Sequence, residues 1–137
     1  YQAHRVLLDA NRVDEAREIA ERYLGLAPDT MLAFLIRLRQ ACAEGRVDAA
    51  HALFESYDFE TRGANLVNTR WLALKTLGRN EEAWASLRGS DMPLYALAGH
   101  LTYTHFDPRH QPRLRDTLEA QGIMREEPLP LPFACKR

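Results

Sequence analysis

Cys42 and Cys135 are the residues of this chain with the most reactive chemistry, and they stand in distant parts of it. They fit no CxxC, zinc-knuckle or disulfide-framework spacing. A cysteine reacts as its thiolate, which requires a neighbour that lowers its pKa. No histidine lies three or four residues to either side of Cys42 to act as its base, and the expectation is a packed, inert thiol in a reducing compartment. His100, His105 and His110 recur every five residues with a proline turn between them, a spacing that does not place them on one helical face. No metal site is expected there. No phosphate-binding or dinucleotide-binding glycine loop, nucleophile elbow or HExxH occurs. The chain is expected to have no catalytic site, cofactor or metal, and its remaining chemistry is recognition.

Composition narrows the partners. The 137 residues carry 46% hydrophobic side chains, enough for one core, and a formal net charge of −1. Two lysines (75 and 136) leave 16 of the 18 basic residues as arginine, interleaved with Asp and Glu along the whole chain. That is the pattern of solvated helix faces and not of a basic patch, so neither nucleic acid nor anionic lipid is an expected partner. No apolar run approaches the roughly 18 residues of a membrane-crossing helix. The chain opens at Tyr1 in the middle of a helical pattern, and the expectation is a piece of a longer protein. Trp71 and Trp84, like Tyr95 and Tyr103, lack a basic stripe and read as inter-helix packing.

The elements announce themselves by repetition. "NRVDEAREIA" from Asn11, "GRVDAAHALF" from Gly45 and "GRNEEAWASL" from Gly78 are near-echoes. Each begins with a residue that tolerates the left-handed conformation ending a helix. Each continues to an alanine, Ala16, Ala50 or Ala83, placed where two antiparallel helices would cross closely; a larger side chain there would cost about 1–3 kcal/mol. Four residues on come Ala20, Phe54 and Leu87. Pro28 closes the first pair of helices, Asp29 and Thr30 offer caps to a helix opening at Met31, the second helix of the middle unit is expected to end near Asp58, and Leu66, Trp71, Leu74 and Leu77 share one face of a later helix. Asp91 caps a further helix with Pro93 in its first turn, another is expected from about Pro112 to Gln121, and Gly122 ends it. Pro128, Pro130 and Pro132 alternate with Leu129, Leu131 and Phe133, which predicts an extended strip over the last helices.

A period of about 34 residues with these positions resembles the tetratricopeptide repeat family, whose two-helix units bury their apolar faces by stacking. The resemblance covers about residues 1–90. It rests on Asn11, Val13, Ala16, Ala20, Tyr23 and Pro28, then Gly45, Val47, Ala50, Phe54 and Tyr57, then Gly78, Ala83 and Leu87. Departures are Val67, where the second unit has Phe34, and the lack of a proline closing the second and third units. The implied fold is all-α: a right-handed solenoid of three hairpins (about 1–29, 30–62 and 63–90), capping helices over 91–122 and an extended tail over 123–137. The stretch "FDPRHQPRLRDTLEAQGI" and the Pro-rich strip after it also look like the ends of such segments in multidomain bacterial signalling proteins carrying winged-helix or nucleotide-cyclase domains.

In that family the first helix of each hairpin lines a concave groove. By the resemblance its inner wall carries Tyr1, Arg5, Leu32, Leu35, Arg39, Cys42, Asn65, Asn68, Leu72 and Lys75. Asn68 would bond a peptide backbone, and Arg39 or Lys75 would pair a carboxylate. The groove would take a protein or peptide, unless this chain's own tail or a longer parent fills it. The family's carboxylate-clamp pattern for chaperone termini is not met, since the relevant positions read Tyr1, Arg5, Leu35 and Arg39. The expected function is a protein-binding module of a larger bacterial signalling or transcription-regulatory protein, with homodimerisation as the alternative. The expected location is cytoplasmic, or periplasmic if a membrane span precedes it.

Overall fold

A computed structural model describes residues 1–59 and 66–88, together with residues 116, 119, 120, 122 and 135. Among these there are six helices and no strand: α1 (Gln2–Asp9), α2 (Val13–Leu26), α3 (Met31–Ala43), α4 (Val47–Ser56), α5 (Leu66–Thr76) and α6 (Asn80–Arg88). The chain is all-helical over these residues. Consecutive helices pack as pairs, α1 on α2, α3 on α4 and α5 on α6, while α3 also touches α2 and α5.

The three echoed phrases become three copies of one backbone device. Asn11, Gly45 and Gly78 have φ of 59°, 72° and 73°, the left-handed region where a Cβ is costly. At each, two carbonyls left open by the ending helix are filled in the same order. Asn11 N–H donates to Leu8 O and Arg12 N–H to Leu7 O; Gly45 donates to Cys42 O and Arg46 to Ala41 O; Gly78 donates to Lys75 O and Arg79 to Leu74 O. This is the Schellman arrangement. The carbonyls of Arg12, Arg46 and Arg79 then accept from Ala16, Ala50 and Ala83, each at 3.0 Å, and so begin the next helix. One residue ends one helix and starts another, which keeps each connection short.

All three alanines are 0% exposed, as expected of close helix crossings. The arginine slot was not singled out from the sequence, yet it repeats too. Arg12 grips Glu15 (Nε to Oε1, 2.6 Å) and Arg79 grips Glu82 (2.7 Å). The middle unit has Ala49 in the glutamate's place, and Arg46 turns back to Glu44 instead (2.9 Å). Exposed pairs of this kind contribute little to stability.

Thr30 is the cap of α3, its Oγ1 accepting from Ala33 N–H at 3.2 Å. Of the two caps offered, the N-cap position falls to Thr30. The middle pair ends at Ser56, slightly before the expected Asp58. The core lies among α3, α4, α5 and α6: Phe34, Leu35, Leu38, Phe54, Trp71, Leu74 and Leu77 with the small residues Ala41, Ala50, Ala73 and Ala83. Phe34 stacks on Tyr57 with centroids 3.8 Å apart, and Phe59 meets both rings edge-on. Aromatic contacts of this geometry add to the burial energy. Phe59 carried no periodic signal because it follows the helix end.

Helical residues at Asp116, Glu119 and Ala120, with Gly122 at φ 75° donating to Glu119 O, agree with a helix that Gly122 ends. The expected helix from Asp91, the proline strip, the three spaced histidines and the side chain of Trp84 lie outside the described residues.

Candidate functional site

The residues proposed for an inner wall, apart from Tyr1 before α1 and Asn65, come from α1, α3 and α5, and the structure places them unevenly. Leu32 and Leu72 are partly exposed. Leu35 is 2% exposed and belongs to the same core cluster as Phe34, Leu38 and Trp71, so it is not an open-wall residue. Arg5, Arg39 and Lys75 are all buried as well, at 8%, 3% and 9%. Asn65 and the side chain of Asn68 lie outside what is described.

Three of the predicted residues meet. Arg39 Nη2 donates to Asp9 Oδ1 at 3.3 Å, joining α3 to the end of α1. Arg5 and Tyr1 are close enough to act on the same site electrostatically. Burial pulls the Arg39 pKa down, Tyr1 and Asp9 pull it back up, and Arg5 depresses it further; an arginine remains charged throughout. Burial likewise raises the Tyr1 phenol against the lowering pull of Arg39 and Arg5. Two buried guanidiniums therefore share a site with the carboxylate of Asp9, an exposed residue. Farther along, the Lys75 ammonium lies 5.5 Å from the centre of the fully buried Trp71 ring, a cation–π contact.

A polar chain that the sequence did not reveal joins α1, α2 and α3. His4, 0% exposed, bonds through Nε2 to Gln40 Oε1 at 3.0 Å. The Gln40 amide nitrogen donates to Glu44 Oε1 at 2.9 Å, which leaves its oxygen to accept from His4. Glu44 also takes Arg17 Nε at 2.6 Å, joining α2, and Arg46 Nε at 2.9 Å. Burial lowers the His4 pKa to about 4, although the Gln40 bond works the other way. For Glu44, burial alone would raise the pKa, but the bonds from Gln40, Arg17 and Arg46 outweigh it and hold the carboxyl at about 2. A cleft of about 520 Å³ opens beside this chain between α2, α3 and α4, with Arg17, Glu21, Leu24, Arg37, Glu44 and Leu53 on its walls. Arg17 and Glu44 are already engaged with each other, and Arg37 Nη1 holds the Pro28 carbonyl at 2.9 Å.

The largest departure concerns the cysteines. Cys42 and Cys135 form a disulfide, so neither is the inert thiol expected of a reducing compartment. Spacing rules describe frameworks of closely set cysteines, whereas this pair is separated by 93 residues and joined by packing. Cys135 rests against the core cluster, and its N–H donates to Thr76 O at 2.8 Å. Among the described residues no group of three His, Cys, Asp or Glu is set to hold a metal, and no helix is long and apolar enough to cross a membrane.

No protein-family model matches the chain, and comparison with characterised proteins and with solved structures gives no match either.

Proposed function

We propose that the chain is a helical-repeat binding module of the tetratricopeptide type: three hairpins stacked as a right-handed solenoid, with α1, α3 and α5 lining a groove that takes an extended segment of a protein partner. The observation carrying this is the triple cap. The same two carbonyls are filled at 11, 45 and 78, each followed by a fully buried alanine. Units that repeat a joint in this way present equivalent faces side by side, and such faces form extended binding surfaces. By the resemblance Arg39 or Lys75 would pair a carboxylate of the partner; Arg39 already bonds Asp9 and Lys75 lies over Trp71, so an acidic segment would have to displace these contacts.

Such a module belongs to a larger regulatory protein, of bacterial signalling type by its resemblance. The disulfide favours an oxidising compartment, hence the periplasmic alternative over the cytoplasm, since cytosolic thiols are kept reduced.

The test is binding of an array of short acidic peptides, followed by Leu32→Asp and Leu72→Asp in one variant. Both positions are partly exposed, whereas Leu35→Asp would disrupt the core. The expected result is a loss of affinity of about tenfold or more with unchanged helicity and solution mass. If the variant instead turns a dimer into a monomer, self-association is the function.

A further inference from the structure

The cap of α5 is complete except at one carbonyl. Leu74 O accepts from Arg79 and Lys75 O from Gly78, which leaves Thr76 O to accept from the N–H of residue 135. Thr76 is 4% exposed, so its carbonyl lies where an unfilled acceptor is costly. A backbone donor from a segment distant in sequence therefore occupies the end of α5. The side chain of the same residue is bonded to Cys42 on α3, 5% exposed and part of the core. Residue 135 thus bridges the C-terminal ends of two helices assigned to the binding wall, once through its backbone and once through sulfur.

We propose that the Cys42–Cys135 disulfide is a redox-controlled latch on the groove. Oxidised, it keeps residue 135 against α3 and α5 as an occupant supplied by the chain itself; reduced, it frees the Thr76 carbonyl and the Cys42 side of the wall for a backbone N–H of an extended partner. The two sulfurs differ in access: Cys135 is partly exposed and Cys42 is enclosed. A dithiol reductant attacks Cys135 Sγ as its thiolate, forming a mixed disulfide there while Cys42 leaves as a thiolate and takes up a proton. The reductant's second thiolate then displaces Cys135. The disulfide gains two electrons and two protons, and the dithiol becomes a cyclic disulfide. The bond holds the donor at high effective concentration, so its loss converts a fixed contact into one that a partner can displace.

The latch rests on reading this face as a groove, but its test needs no ligand and can fail separately. Amide hydrogen exchange is followed on the intact chain, oxidised and after dithiothreitol, and on Cys135→Ser without reductant. In the two unlinked forms the residue-135 amide is expected to exchange faster by on the order of 100-fold, with the Ala16, Ala50 and Ala83 amides still protected. A maleimide should label Cys42 in these forms and not in the oxidised chain. Unchanged protection at residue 135 would overturn the latch, because the contact would persist without the bond. Loss of protection at all three alanines together would also overturn it, since the disulfide would then be a staple of the whole fold.

Discussion

At the scale of single residues, His4 and Glu44 make the chain acid-sensitive in two separate windows. His4 is buried and neutral, with its pKa lowered to about 4 from 6.5. On unfolding it regains its ordinary value, so below pH 6.5 the unfolded chain binds a proton that the folded one refuses. Stability then falls as pH drops from 6.5 towards 4, by about 2–3 kcal/mol in all. Glu44 acts lower: its stabilisation is complete above 4.5 and is lost as pH falls towards 2. Urea unfolding followed by tryptophan fluorescence at several pH values should show the first slope, and His4→Gln should flatten it between 6.5 and 4.5. An unaltered slope in that variant would assign the loss to another group. Glu44→Gln at pH 7 should cost about 1–2 kcal/mol, because charge-assisted bonds to Arg17 and Arg46 are weakened together. None of this was legible beforehand. His4, Gln40 and Glu44 have no motif, and they meet only because α1, α2 and α3 pack together.

The helices and their joints were far more legible, since what sets them is local. A left-handed residue, an arginine and an alanine at fixed offsets write the end of one helix and the start of the next, and no distant contact is needed to read them. The buried alanine gives the sharpest test. Ala50→Leu must push α3 and α4 apart and should lower stability by about 1–3 kcal/mol, whereas Ala49→Leu, exposed on the same turn, should stay within about 0.5 kcal/mol. Thermal or urea unfolding distinguishes them, and equal effects would show that the crossing is not tight. At the cap, Gly45 has open space for a Cβ but a φ of 72°, so strain alone decides the outcome. Gly45→Val should cost about 1–2 kcal/mol and Gly45→Asn clearly less, as Asn11 already occupies the same slot. Helix ends were less well placed where aromatic packing takes over, as at Phe59 and Tyr57 beyond α4.

For the molecule as a whole, the period in sequence implies like units set side by side, and the disulfide adds a link that no periodicity contains. The cysteine pair was missed for the same physical reason as the polar chain: its partners are chosen by how α3, α5 and residue 135 come together, not by their spacing. Serial stacking is the claim on which groove, partner class and latch all depend. Spin labels in pairs at Glu18, Ala52 and Ala85, exposed and equivalent on α2, α4 and α6, measure it directly in the oxidised chain. Stacking predicts equal separations for 18 to 52 and 52 to 85, and about twice that distance for 18 to 85, shortened only by curvature. Three similar separations would mean a closed bundle with no continuous wall and would contradict the account.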